Sequence, residues 1–85
     1  MELPVINLVA TGHNINQRRL AAGLEVKDIQ QACGFSTPNA VYKWIHGQSL
    51  PTIDNMVILA SLLDISIDDI LVVERRKEEH VRFYL

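Results

Sequence analysis

Hydrophobic positions recur at helical spacing in the segment PTIDNMVILASLLD, residues 51–64. Thr52 is a favoured N-cap residue and stands just before the first apolar position. This pattern predicts an amphipathic helix whose apolar stripe faces a core. The stripe consists of Ile53, Met56, Val57, Ala60 and Leu63.

The next segment, DISIDDILVV, carries the signals of another helix start. Ser66 and Asp69 have the spacing of a capping box, in which each side chain accepts a hydrogen bond from the other residue's backbone N–H. Ile65 and Ile70 stand at the two positions that pack against each other across such a start. We therefore expect a helix that begins immediately after Ser66.

Upstream, VATGHNINQRRLAAG predicts a helix with Thr11 as its N-cap and Gly23 just past its end. Its apolar stripe is weak, because Ile15 is followed at helical spacing by Arg18 and Arg19.

The segment LEVKDIQQACG predicts a short second helix that ends at Gly34. Val26, Ile29 and Cys33 lie on one predicted face, whereas Glu25 is not a favoured N-cap residue. Because Cys33 belongs to the apolar face, we interpret it as a buried and unreactive thiol.

Between these helices lies GFSTPNAVYKWIHG, residues 34–47. Pro38 suits the first position of a helix and disfavours helical backbone at the residue before it. We therefore predict a helix from Pro38 to His46, with Thr37 as its N-cap and Gly47 as its end. At about 100° per residue, its side chains divide between an apolar and a polar side. Pro38, Val41, Trp44 and Ile45 fall on the apolar side, Asn39, Lys43 and His46 on the opposite side, and Ala40 and Tyr42 on the flanks.

The two ends of the chain have a different character. VRFYL alternates apolar and other residues, which is typical of a strand, and PVINLV near the start is its candidate partner. The intervening ERRKEEH is interpreted as a solvated run of charges.

The 85 residues are enough for one domain with a small core. The net charge of −2 gives no overall attraction to nucleic acid, but the charge is uneven. Residues 11–50 hold four Lys or Arg against two acids, whereas residues 51–85 hold four against seven. The single cysteine excludes an internal disulfide, and the apolar N-terminal stretch is too short to span a bilayer. These features predict a soluble cytoplasmic protein without a membrane partner.

The sequence contains no pattern typical of a catalytic or metal site. The three histidines, at positions 13, 46 and 80, lack metal-ligand spacing. Asp64, Asp68 and Asp69 lack the alternation and the glycine of a calcium loop. We find no nucleophile with a candidate base and no phosphate-binding glycine loop. We therefore expect no enzyme activity, no cofactor and no small-molecule ligand.

Five short helices, the second and third separated by a glycine turn, resemble the lambda-repressor/Cro-like, or xenobiotic-response-element-type, helix-turn-helix domains. The matching residues are Ile15 and Arg19, Gly23-Leu24, Ile29 and Gly34, VYKWIHG from Val41 to Gly47, Leu50-Pro51, and DNMVILASLLDISIDDIL from Asp54 to Leu71.

This resemblance implies an all-α fold, a compact bundle of about five short helices, to which the alternating pattern adds possible short strands at the two termini. Residues 1–10 are then an N-terminal extension, residues 11–73 the helix-turn-helix domain, and residues 74–85 a C-terminal tail.

Four positions depart from the family pattern. The turn before the third helix is longer, at residues 35–37, and Gln30 replaces a small residue between the two helices. Ile45 stands where the family often has a Glu that pairs with the arginine matching Arg19. Val26 replaces a polar residue that often touches DNA.

The resemblance implies a sequence-specific DNA-binding transcriptional regulator that uses residues 38–46 as its recognition helix on double-stranded DNA. Asparagine can bond adenine, and lysine can bond guanine or phosphate. Because a single domain with so few basic residues would bind weakly, we expect a homodimer. The alternative is a protein-interaction module that kept the fold and lost DNA binding. The expected DNA-binding residues are Lys27, Ser36, Thr37, Asn39, Ala40, Tyr42, Lys43 and His46.

Overall fold

The computed structural model describes residues 2–77, within which the chain forms five helices and two strands. This arrangement confirms the predicted all-α bundle with short strands near both ends. The elements, in chain order, are β1 (Glu2–Ile6), α1 (Leu8–Ala21), α2 (Val26–Ala32), α3 (Asn39–Ile45), α4 (Ile53–Leu63), α5 (Ile67–Ile70) and β2 (Val73–Lys77).

The core draws buried side chains from all five helices. The predicted inward face of α2 is confirmed, because Ile29 is buried and both Val26 and Cys33 pack against the core. The buried apolar side chains are Ile15, Ile29, Val41, Trp44, Met56, Leu59, Leu63 and Ile70.

Helix α1 begins at Leu8, four residues before the start predicted with Thr11 as the N-cap. Asn7 is the N-cap, and its Oδ1 accepts the Ala10 N–H at 2.9 Å. The prediction was wrong because the Thr11 N–H already donates to the Asn7 carbonyl, at 2.9 Å, as part of the helix. Thr11 is instead buried, and its hydroxyl accepts the Val72 N–H at 3.0 Å.

A second polar side chain on the same face of α1 determines where α5 ends. The Asn14 amide donates to the carbonyls of Asp69 and Ile70, at 2.7 and 3.0 Å. The last carbonyls of a helix have no partner within the helix, so this side chain satisfies them. Asn7, Thr11 and Asn14 thus hold α1 by hydrogen bonds, which explains why its apolar stripe is weak.

The capping box predicted at the start of α5 is confirmed. The Ser66 N–H donates to the Asp69 carboxylate and the Asp69 N–H donates to the Ser66 hydroxyl, both at 3.3 Å. Ile70 is fully buried and Ile65 packs against the core.

Helices α1 and α3 pack backbone against backbone. A methyl group added to Gly12 would overlap the Trp44 carbonyl oxygen and lie 2.7 Å from that of Ile45. At the other end of the contact, a methyl group on Gly47 would lie 2.7 Å from the Val9 Cα. Both glycines are therefore required by close approach, and Gly47 also has a positive φ of 71° after the end of α3.

Helix α4 has the predicted start but a different inward face. Thr52 is its N-cap residue, although its hydroxyl donates to the Asp54 carboxylate rather than capping the backbone. This bond, with help from nearby backbone N–H groups, lowers the pKa of Asp54. Met56, Leu59 and Leu63 are buried.

The predicted stripe on α4 was wrong at two positions, because Ile53 is 76% exposed and Val57 is 56% exposed. The apolar residues of α4 cover more than one face, so periodicity alone did not identify the side that packs on the core.

Strands β1 and β2 form an antiparallel ribbon in which Ile6 faces Val73 and Glu2 faces Lys77. The partner predicted for the N-terminal strand was VRFYL, residues 81–85, which lie outside the described residues. The partner in the structure is Val73–Lys77, so part of the charged run expected to be merely solvated forms a strand. The Asn7 N–H, which donates to the Val72 carbonyl at 2.8 Å, joins the ribbon to the helices.

Cys33 lies half-buried at the end of α2 and packs against the core. Burial raises the pKa of its thiol, and the carboxylate of Asp54 raises it further. Because the thiolate is the reactive form, this environment lowers the reactivity of Cys33 at neutral pH.

Gly12→Ala is expected to destabilise the domain by about 3 kcal/mol, because the new methyl group forces α1 away from α3. The direction of the stability change distinguishes the two cases, since at a solvent-exposed position in a helix the same substitution would stabilise by about 1 kcal/mol. Urea unfolding monitored by circular dichroism measures the effect. Ala21→Gly, at an exposed position of the same helix, measures how much an exchange between alanine and glycine changes stability through helix propensity alone. A Gly12→Ala variant as stable as the wild type would contradict the close contact.

Cys33 is expected to react with a disulfide reagent more slowly in the native protein than in urea near neutral pH, with a rate profile displaced to higher pH. The pKa of the Cys33 thiol is higher in the folded state than in the unfolded state. The thiol therefore stabilises the fold at pH values below its unfolded pKa, and this stabilisation is lost as pH rises through the folded pKa. Rates measured across pH in both states test this. Superimposable profiles would mean that the fold does not protect the thiol.

Candidate nucleic-acid interface

Helix α3 is anchored by one face and open on the other. Val41 is fully buried, Trp44 is only 4% exposed and Ile45 is half-buried, which confirms the predicted inward side. Asn39, Tyr42, Lys43 and His46 are exposed. A helix of this length is not stable alone in water, so its orientation depends on this anchoring.

The helix starts one residue later than predicted. The Pro38 carbonyl accepts the Tyr42 N–H at 3.1 Å, which makes Pro38 the N-cap in place of Thr37. The Thr37 hydroxyl accepts the Asn39 N–H at 3.4 Å from just outside the helix. His46 is correspondingly the C-cap rather than the last helical residue.

The turn before α3 is held by contacts of Phe35 and Gln30. The Phe35 ring packs edge-on against Trp44, with centroids 5.8 Å apart and planes at 64°. The Gln30 amide donates to the Phe35 carbonyl at 3.3 Å. Gln30 therefore fixes the turn by a hydrogen bond, and Phe35 extends the anchor of α3.

Two shallow depressions flank α3, and the eight predicted site residues divide between them. The turn-side depression lies between α3 and the segments before and after that helix. Five of the eight predicted site residues line it. Phe35 and Ser49 complete this lining. The five predicted residues on this side are Ser36, Thr37, Asn39, Ala40 and Lys43.

The helix-side depression lies where α1, α2 and α3 meet, and its lining includes Lys27, Tyr42 and His46. The rings of Tyr42 and His46 stack one turn apart, with centroids at 6.1 Å and planes at 21°. Lys27 forms an exposed ion pair with Glu25 at 3.2 Å, and such a pair contributes little to stability. The remaining lining residues are Asn16, Arg19, Glu25, Val26 and Ile45.

Sequence reasoning did not select Ser49, Asn16 or Arg19 for the site. Ser49 follows the glycine that ends α3, and no local pattern marks it. Arg19 was matched to the family but not included among the expected contacts. Its guanidinium bonds Asn16 and the Leu24 carbonyl, which keeps it at the helix-side depression.

Side chains around α3 offer hydrogen-bond donors and acceptors on a solvent-facing helix, with lysines on both flanks. Within residues 2–77, no three His, Cys, Asp or Glu side chains form a group that could hold a metal ion. Among the described helices, none is long and apolar enough to cross a membrane.

Comparison with known proteins places this geometry in a family. The helix-turn-helix family profile, of the Cro/C1 type, matches residues 15–70. No curated protein sequence matched the chain.

Two solved structures are similar. The restriction-modification controller protein C.AhdI from Aeromonas hydrophila is 27% identical, with a TM-score of 0.65, over 74% of this chain and 94% of C.AhdI. The hypothetical transcription factor NHTF from Neisseria shares the fold at 14% identity, with a TM-score of 0.66, over 91% of this chain and 84% of NHTF.

The matched segment begins at Ile15 in α1 and ends at Ile70 in α5, so it contains α2, the turn and α3 in full. The predicted family resemblance is thereby confirmed. The chain belongs to the helix-turn-helix family, whose members bind DNA and regulate transcription.

Proposed function

We propose that this protein regulates transcription by binding specific sequences of double-stranded DNA, with α3 as the recognition helix in the major groove. The observation that supports this most directly is the division of α3. Its inner face is fixed by Val41 and Trp44, while Asn39 and Lys43 are exposed on its other side. In this family, such a helix presents its N-terminal half to base edges.

The chemistry of the exposed residues supports separate roles. Asn39 can donate to and accept from one adenine, and Lys43 can donate to guanine or to a phosphate. Ser36 and Thr37, just before the helix, are placed for phosphate bonds, which set the position of the protein on the duplex. Lys27, Tyr42 and His46 would meet the backbone or the groove on the other flank.

The likeness to a restriction-modification controller protein supports a role as a transcriptional controller. Because helix-turn-helix regulators are typically not enzymes, we propose binding without catalysis. The net charge of −2 favours the alternative, an interaction module that does not bind DNA. The two functions differ in their response to salt, since phosphate contacts make DNA binding weaken steeply as salt rises.

We further propose that the protein acts as a homodimer that uses the exposed face of α4. Ile53 and Val57 are one turn apart and both well exposed, whereas Met56 and Leu59 on the same helix are buried. A two-fold contact would set the same pair of side chains from each copy against each other. Such a patch is small beside the roughly 800 Å² per partner of a stable interface, so the dimer should be reversible.

Asn39→Ala and Lys43→Ala are expected to weaken binding to a duplex selected from random sequence while leaving the fold intact. If Lys43 meets a phosphate, the slope of log affinity against log salt falls by about 0.9. If it meets guanine, one base position loses about 1–3 kcal/mol of discrimination. Asn39→Ala should reduce discrimination at an adenine. Anisotropy titrations at several salt concentrations measure both quantities.

Arg18→Ala and Gln17→Ala are matched controls, because both residues are exposed on α1 and neither lines a depression beside α3. Circular dichroism verifies folding. Wild-type binding by a folded Asn39→Ala/Lys43→Ala double variant would reject α3 as the reader and favour the interaction module.

Ile53→Asp/Val57→Asp is expected to shift the protein to monomer, because it places charges in the proposed apolar contact. Sedimentation velocity over a range of protein concentrations measures the change. Leu20→Asp is the control, since Leu20 is an exposed apolar residue on a different helix. If the double variant self-associates like the wild type, α4 is not the dimer surface; if the wild type is monomeric at all concentrations, including on DNA, the dimer itself is rejected.

A further inference from the structure

Arg19 lies in the helix-side depression with its guanidinium held by neutral groups. Its Nε and Nη2 donate to Asn16 Oδ1 at 3.1 and 2.8 Å, and its Nη1 donates to the Leu24 carbonyl at 2.8 Å. Neither acceptor carries a charge. Among residues 2–77, no carboxylate forms an ion pair with Arg19, so its positive charge is not compensated by a partner.

Ile45 accounts for this arrangement. It lines the same depression as Arg19, and its side chain is apolar. An isoleucine there leaves the guanidinium without a carboxylate. The side chain is nevertheless fixed, because Asn16 and Leu24 bind it from two directions.

The charges around this depression leave a net positive value. Arg19 and Lys27 contribute +2 and Glu25 contributes −1, which gives +1 with His46 neutral. Lys27 is already paired with Glu25 at 3.2 Å, so Arg19 carries the uncompensated charge. Asp28 is next to Lys27 in sequence but does not line the depression, and its carboxylate accepts the Glu25 N–H at 2.7 Å.

The guanidinium also has donors to spare. Of its five N–H groups, three are used in the bonds to Asn16 and Leu24, so one on Nη1 and one on Nη2 remain. Two N–H groups on one planar cation suit a phosphate, whose oxygens can accept both. A side chain already held in place loses little conformational entropy when it binds.

We propose that Arg19 donates to a backbone phosphate of the DNA duplex whose bases face α3, and that Asn16 is the positioning residue that orients it. This inference rests on the proposed DNA binding and adds a contact from α1.

Arg19→Gln is expected to weaken binding to the selected duplex about tenfold, the range for a hydrogen bond to a charged group. The slope of log affinity against log salt should fall by about 0.9, as for one lost phosphate contact. Arg18→Gln removes the same charge from the neighbouring exposed position, which does not line the depression, and should keep the wild-type slope. Arg19→Lys should retain the slope but lose affinity, because it keeps the charge without the fork.

A second pair of variants keeps Arg19 in place in case Arg19→Gln unfolds. Ile45→Glu supplies a carboxylate in the same depression, and Ile45→Gln is its neutral match. The Glu variant should show a shallower salt slope than the Gln variant, since the carboxylate competes with phosphate for Arg19. In an Arg19→Gln background, this difference between the two variants should shrink.

Folding of each variant is verified by circular dichroism and urea unfolding. A salt slope unchanged by a folded Arg19→Gln, or changed equally by Arg18→Gln, would overturn the phosphate contact while leaving the proposed function intact. A wild-type protein without salt-dependent DNA binding would overturn both.

Discussion

The close backbone contact between α1 and α3 is the constraint on which the rest of the structure depends. Gly12 lets α1 approach the carbonyls of Trp44 and Ile45, and Gly47 receives the backbone of Val9. Helix α3 has seven residues, too few to be stable or oriented by itself. Its direction relative to the domain is therefore set by the helix against which it packs, and α1 is in turn held by Asn7, Thr11 and Asn14.

Local sequence signals made the helices and the family predictable. Features that depend on contacts between residues far apart in sequence were not predictable. Gly23, Gly34 and the Ser66–Asp69 box mark helix ends within a few residues, and the structure has each where it was predicted. The start of α1 could not be predicted in this way, because Thr11 resembles a cap in sequence but bonds Val72, 61 residues away. The position of β2 escaped prediction for the same reason, since its charged residues gain their conformation from pairing with β1.

The exposed side of α3 was predictable from the sequence, but the two depressions around that helix were not. Helical spacing separated Trp44 from Lys43, and burial bears out that division. The two depressions depend on how α1, α2 and the segment after α3 surround that helix, which no local pattern encodes. Arg19 and Ser49 could therefore not be selected from spacing alone, and Ile53 and Val57 were assigned to the core although they face solvent.

The overall negative charge is compatible with DNA binding because of where the charges lie. Between residues 51 and 77 the acids include Asp54, Asp64, Asp68 and Asp69, on or beside α4 and α5. Lys43 lies on α3, and Lys27 and Arg19 line the depression beside it. None of those four acids lines a depression beside α3, so the local charge there favours the proposed approach to DNA with α3 foremost. Under the proposed function, the acids of α4 and α5 would lower non-specific affinity, and the proposed contacts of α3 would supply the preference for sequence.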